Sequence, residues 1–317
     1  MLNYQLNNWN RNLSLLLFLC LFSFPIITNS QNLAEQKTQL QTSFVYKELC
    51  NPNPSPEAKA LYRYLQNLFG EKILSGQMST QGGINEIEYI SDITGKKPAI
   101  CGFDLEFENA NETKIQKAIE WWKTGGIPLI MWNWAAPTFS EGYDNSKKEI
   151  DIEKCFQEGT PEYKSFWNEL ETKANHLEKL RDAKVPVLWC PFQEQTGKLF
   201  WWSKQGPAQF IKLWQTMFNY FVKERNLNNL IWVQCFSEDI DRAWFPGNSY
   251  VDVIATSSYK EDSKPHTELF NKARIIANSN ITPIAFNECA TIPDPDECRK
   301  TDAMWSWWME RPAPYLT

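Results

Sequence analysis

Apolar residues along this chain fall into short unbroken runs, set apart by longer stretches in which they recur every three or four positions. The unbroken runs predict strands at 72–78, 98–105, 127–134, 186–194, 230–237, 251–259, 283–289 and 303–309. The spaced stretches predict helices at 56–69, 112–123, 165–181, 207–225 and 268–278; the fourth carries Phe210, Leu213, Trp214, Met217 and Phe221 on one face. Strands that are apolar throughout, rather than alternating, are expected in a parallel sheet covered on both faces. Eight strands with helices between most of them, in about 250 residues, match a (β/α)8 TIM barrel. The last strand ends close to Thr317, so the eighth unit is expected to be shortened. A doubly wound open sheet is the alternative, but its phosphate-binding glycine fingerprint is missing, Gln81-Gly82-Gly83 being the nearest approach.

Two of the strand-like runs end in glutamate, Glu194 on the fourth and Glu288 on the seventh. In a barrel the C-terminal strand ends share one face and carry the chemistry. Two carboxylates meeting there are the machinery of glycosidic cleavage, one as a protonated acid and one ionised. Their pKa values are then expected to be driven apart. Asn287 or Tyr259 is placed to hold Glu288 ionised, and an apolar surround of Phe192, Trp201 and Trp202 to raise Glu194.

Composition narrows the partners. A net charge of −6 and no basic stripe speak against nucleic acid. The 15 Trp are more than a core of this size ordinarily uses, and an indole face suits a sugar ring. No Cys-x-x-Cys pair occurs and the chain has two histidines, so no metal site or cofactor is expected. His176 and His266 are expected at the surface.

Residues 1–30 have the form of a secretory signal, with Arg11, an apolar run from Leu13 to Phe24 and the small-residue exit Thr28-Asn29-Ser30. Residues 31–56 are polar and proline-containing, as in a leader or linker, and 57–317 form the catalytic barrel. The expected product is an exported, extracellular monomer, free of membrane once the signal is removed. Seven cysteines lie outside the signal, so at least one stays unpaired. Cys289 and Cys298 flank a proline-rich loop and are candidates for a bridge, whereas Cys190 and Cys235 sit on strands as buried thiols. Asn111 and Asn280 open glycosylation sequons.

Several segments in order resemble glycoside hydrolase family 26, the β-mannanase family, from about Leu61 to the C-terminus. They include Lys72-Ile73-Leu74-Ser75-Gly76-Gln77, Gly102-Phe103-Asp104, Trp132-Asn133-Trp134-Ala135-Ala136-Pro137, Phe200-Trp201-Trp202 and Glu288-Cys289-Ala290-Thr291. The resemblance implies a (β/α)8 barrel and a retaining double displacement. It makes Glu194 the acid/base, Glu288 the nucleophile and Tyr259 the tyrosine that contacts the nucleophile. The implied sugar-contacting set is Asn133, Trp134, Gln193, Trp201, Trp202 and Tyr259.

The chain departs from the family around these residues. The family's Arg-Pro-x-His-Glu is Cys190-Pro191-Phe192-Gln193-Glu194, its Trp-His-Trp is Trp132-Asn133-Trp134, Leu199 stands for a tryptophan, Ser257 for an aspartate, and Arg311 for a tryptophan near the last strand. Loss of the arginine removes a fixed charge and a two-pronged donor. Gln193 keeps a donor and an acceptor but loses a titratable ring. The expectation is therefore a secreted endo-β-1,4-mannanase acting on a mannan-type polysaccharide. The altered shell leaves open a mixed-linkage β-glucan or β-xylan substrate, or a weak or inactive carbohydrate-binding relative.

Overall fold

The computed structural model describes residues 45–80 and 85–312. The compact unit begins at Tyr46. The expected signal at 1–30 lies outside the described residues.

Eight parallel strands close into a barrel in simple sequence order. They are β1 Leu74–Met78, β2 Ile100–Asp104, β3 Ile127–Met131, β4 Val187–Cys190, β5 Leu230–Phe236, β6 Val253–Ser258, β7 Ile284–Cys289 and β8 Trp307–Glu310. The closing pair is β1 with β8, where Leu74 faces Trp307. All eight expected strands are present. The helices are α1 Pro56–Leu68, α2 Asn85–Thr94, α3 Glu108–Lys123, α4 Pro161–Asp182, α5 Pro207–Asn219, α6 Thr267–Ala277 and α7 Pro295–Lys300. Two of these, α2 and α7, were not expected. A π-helical turn, Tyr220–Glu224, extends α5.

The unbroken apolar runs conceal a two-residue alternation. Leu188, Cys190, Ile231, Val233, Cys235, Val253, Ala255 and Ala285 join one buried cluster. Their neighbours Val187, Trp189, Leu230, Trp232, Ile254, Ile284 and Phe286 join another, with the helices. The first set is the barrel lumen and the second the strand–helix layer, as side chains alternating across a strand require. Gly102 leaves room in the lumen for two methionines, since a Cβ there would lie 2.1 Å from the Met78 sulfur and 2.8 Å from that of Met309 and would force them to move.

Of the expected linker at 31–56, residues 31–44 lie outside the described residues, and the floor of the barrel accounts for the rest. Leu49, together with Leu61, Tyr62 and Leu65 of α1, packs into the lumen cluster. Ser55 caps α1, its Oγ accepting from the Ala58 N–H at 3.1 Å, with Pro56 at the first helical position. The Cys50 N–H donates to Asp252 Oδ1 at 2.6 Å, and the Tyr62 hydroxyl to the Asp252 carbonyl at 2.8 Å. Residues from Tyr46 onward therefore belong to the barrel rather than to a leader.

Other expectations change because packing decides them. All seven cysteines from Cys50 to Cys298 are free thiols. Cys289 donates to the Met309 carbonyl on β8 instead of bridging Cys298. His176 is buried between α3 and α4, where its Nε2 pairs with Glu108. The His266 side chain is 8% exposed and packs on Phe286, 5.1 Å between ring centres. Asn111 is fully buried and donates to Glu108, which removes it as a glycan acceptor in this fold. Among the described residues no helix is long and apolar enough to cross a membrane.

Candidate active site

The C-terminal ends of the strands surround a cleft of about 740 Å³ lined by Asp104, Asn133, Tyr143, Gln193, Glu194, Phe200, Tyr259, Glu288 and Arg311, among others. Glu288, Glu194 and Tyr259 each reach it by a different backbone device. Glu288 is the penultimate residue of β7. Strict alternation would turn it outward with Phe286. A register shift prevents this: Phe286 faces Thr256 on β6 but Glu288 faces Ser257, so Asn287 is the extra residue of a bulge. Bulges re-aim side chains in this way. Glu194 is not at the end of β4 but four residues past it, in the left-handed region at φ 53° and ψ 38°. A non-glycine residue is strained there by roughly 1–2 kcal/mol, and such residues gather at functional sites. Tyr259 directly follows β6.

These devices bring the pair together. The Tyr259 hydroxyl lies 2.5 Å from Glu194 Oε1 and 2.6 Å from Glu288 Oε2. Those two carboxylate oxygens are therefore at most about 5 Å apart. A phenol carries one proton, so it can donate to one carboxylate only. For the second contact to be a hydrogen bond, the other carboxyl must bring its own proton. With both contacts made as hydrogen bonds, the arrangement holds one acidic proton between the two carboxyl groups.

The electrostatics differ from the expected divergence. Burial pushes the Glu288 carboxyl up to about 7; the Tyr259 hydrogen bond opposes this, the charges of Glu194 and Asp104 add to it, and Arg311 draws it down. Burial raises Glu194 as well, again opposed by Tyr259. Both carboxyls therefore move up. Tyr259 is held far above the ordinary phenol range by burial and by the two carboxylates, so it stays protonated. The Cys190 thiol, hydrogen-bonded to Cys235 and fully buried, is likewise held well above the usual thiol range and contributes no charge. Asn287 does not hold Glu288 ionised. Its Nδ2 turns into the lumen, 3.8 Å from both Met131 Sδ and Cys190 Sγ.

The expected sugar-contacting residues divide into two groups. Asn133, Gln193 and Tyr259 line the cleft. Trp134, Trp201 and Trp202 do not present a face to it, being 1%, 1% and 0% exposed. Trp134 is stacked on Trp132 at 4.0 Å and meets the edge of Trp201 at 5.1 Å. The Trp202 indole N–H donates to the Gln193 carbonyl at 3.0 Å, which ties down the turn that carries Glu194. These indoles support the site from behind. Besides Tyr259, the aromatic side chains open on the cleft are Phe107 and Tyr143, 39% and 42% exposed. Lys147 sits 3.8 Å over the Tyr143 ring and steadies it. No local pattern marked either residue. Asp104 had a signal, as the polar end of an apolar strand. Among the described residues no group of three or more His, Cys, Asp or Glu is placed to hold a metal ion.

The glycosyl hydrolase family 26 model matches residues 50–315. The chain belongs to that family. It is 30% identical over 299 residues to mannan endo-1,4-beta-mannosidase B of Piromyces sp, covering 89% of this chain and 51% of that protein. It is 29% identical over 281 residues to a mannan endo-1,4-beta-mannosidase of Thermothelomyces thermophilus, covering 83% and 57%. The chain spans about half the length of the curated relatives it matches. Among solved structures, it resembles a beta-mannanase from a symbiotic protist of the termite Reticulitermes speratus, complexed with gluco-manno-oligosaccharide. There the identity is 34% and the TM-score 0.77, over 84% of this chain and 88% of that one. A Podospora anserina GH26-CBM35 beta-(1,4)-mannanase matches at 28% and a TM-score of 0.78, over 86% and 64%. In this family 26 barrel the Glu288 carboxyl is drawn down by the charge of Arg311, just past β8.

Proposed function

We propose that the chain is an endo-acting β-1,4-mannanase that works by retaining double displacement. The observation that carries this reading is the Tyr259 hydroxyl bridging Glu194 and Glu288, which limits their nearest oxygens to about 5 Å. Retaining glycosidases hold their carboxyls about 5–5.5 Å apart, and inverting ones about 6.5–9.5 Å. The relatives named above are mannanases, which supports mannan over a β-glucan or a xylan.

In the reactive state Glu194 carries the shared proton and Tyr259 donates its own to the ionised Glu288. A substrate entering the cleft displaces the Glu194 contact with Tyr259. Glu194 then gives its proton to the glycosidic oxygen as the Glu288 carboxylate attacks the anomeric carbon and the C–O bond breaks. The Glu194 carboxylate next takes a proton from water. The hydroxide attacks the same carbon and the Glu288 carboxylate leaves, which restores one proton on the pair. Tyr259 keeps its proton throughout and stabilises the Glu288 carboxylate each time it is released.

Release of reducing ends from β-1,4-mannan tests the activity, with Glu194→Ala and Glu288→Ala as controls. Activity that survives either substitution would sink the assignment. Proton NMR of the first product anomer tests retention, because an inverted product contradicts Glu288 as nucleophile. We also propose export, on the strength of the apolar run from Leu13 to Phe24. Expression of the full chain with N-terminal sequencing of protein in the medium checks it, and an uncleaved intracellular product would refute it.

A further inference from the structure

We propose that Asp104 is a positioning residue that sets the direction of two side-chain amides beside the acid/base, so that this site meets its sugar with an acceptor. Asp104 ends β2, and Asn133 lies two residues beyond β3. The Asn133 backbone N–H donates to Asp104 Oδ1 at 2.8 Å, and its side-chain Nδ2 donates to Asp104 Oδ2. Burial raises the Asp104 carboxyl, while these two Asn133 hydrogen bonds and the charges of Lys114 and Lys173 favour its ionised form, which can only accept. It therefore fixes the Asn133 amide with nitrogen toward Asp104 and oxygen away. That oxygen accepts from Gln193 Nε2 at 2.5 Å. Gln193 is oriented in turn, and its Oε1 is left over. Oε1 is buried, accepts nothing from the protein, and belongs to a side chain that lines the cleft next to Glu194.

A buried acceptor without a donor is unfavourable, and a ligand hydroxyl that donates to it removes the deficit. The occupant that fits is a hydroxyl of the sugar ring seated between Glu194 and Glu288. The relay runs in one direction because its far end is an acid. If Asp104 could also donate, Asn133 and Gln193 could both reverse and offer the sugar an N–H instead. The two replacements at 133 and 193 then form one device, since each amide needs the other's opposite end. Lys114 completes the setting, its Nζ donating to the Asp104 carbonyl at 2.5 Å. The identity of the sugar rests on the mannanase reading, whereas the order of the relay does not.

The test is a double-mutant cycle on a β-1,4-manno-oligosaccharide, combined with a measurement that needs no substrate. Asp104→Asn is expected to lower kcat by about 10- to 100-fold with KM within about threefold, and Gln193→Met to do the same. The double variant should be no more than about threefold worse than the poorer single one, because both break the same relay. Losses that multiply overturn the proposal. In the free protein, hydrogen exchange of the Gln193 side-chain amide, followed by NMR, should be slow. It should speed up at least tenfold in Asp104→Asn while the backbone amides of β2 to β4 stay protected. Unchanged exchange also overturns the proposal. Should Asp104→Asn fail to fold, Asn133→Ala breaks the relay in the middle, with the same two outcomes. A wild-type protein that cleaves no β-mannan defeats the functional reading, while the exchange measurement still decides the relay.

Discussion

The two ends of the barrel each bury a carboxylate, and their surroundings differ. At the floor, Asp252 is fully buried and accepts from two backbone N–H groups, Cys50 on Oδ1 at 2.6 Å and Trp232 on Oδ2 at 2.8 Å. At the open face, Glu288 is 9% exposed and meets a phenol that also touches Glu194. Burial raises the pKa of both. A raised carboxyl therefore does not by itself mark a catalytic one. The partners make the distinction: Asp252 meets two backbone amides and the Cys50 thiol, which burial holds well above the usual thiol range, so it is a joint between segments. Glu288 meets a phenol that also touches a second carboxyl, the arrangement the proposed reaction needs.

The contrast breaks most sharply at Glu288. Glu288→Ala should lower kcat on mannan by about 10⁴-fold or more with the fold intact. The matching change at the floor, Asp252→Ala, should leave turnover per folded molecule unchanged. It should cost roughly 2–5 kcal/mol of stability in a denaturant titration, because two buried N–H groups lose their acceptor. A drop in kcat for the folded fraction would erase the distinction. Tyr259→Phe removes the bridge but neither acid, and should lower kcat by about 10- to 100-fold. Its hydrogen bond holds Glu288 down, so the acid limb of the kcat/KM profile, which reports Glu288 ionisation, should move to higher pH. A limb that stays in place would detach the tyrosine from the nucleophile. The smallest effect is on stability. The Glu288 carboxyl titrates near 4.5 when unfolded and at about 7 when folded. Between those values the folded state holds the extra proton, so stability falls as pH rises through the window. Glu288→Gln should thus stabilise the protein above pH 7 by about 3 kcal/mol at most, with the gain gone by about pH 4. Melting curves at pH 4.5 and 8 check the sign.

Much of the fold is written locally. A lumen closed on all sides needs apolar residues on both faces of every strand, which the unbroken runs supplied. A helix start was also visible where a capping residue precedes proline at Ser55-Pro56. The same pairing opens α4 at Thr160-Pro161, ahead of the expected start at 165, and α7 at Asp294-Pro295, where no helix was expected. Helix α2 escaped because of its ten residues Glu86 and Ile87 alone are buried, which leaves almost no apolar stripe. At the site, a glutamate after each of two strands was legible. The four-residue overhang of Glu194 was not, because a left-handed non-glycine residue has no composition signal. Nor was the bulge at Asn287, which depends on pairing with β6. The indoles were assigned to the sugar because their number says nothing of which way they face. Trp202 acts through its N–H on the Gln193 carbonyl, a tertiary contact that no spacing rule encodes.

The sewn floor also imposes a timetable on biosynthesis. Asp252 lies 202 residues after Cys50 and 190 after Tyr62. A ribosome adding roughly 5–20 residues per second needs about 10–40 s to cover that distance. Through this interval α1 lacks its joint to Asp252, and β1 waits longer still for β8. The earliest part of the barrel to be synthesised is thus among the last to be secured, and it is the stretch a chaperone would meet first.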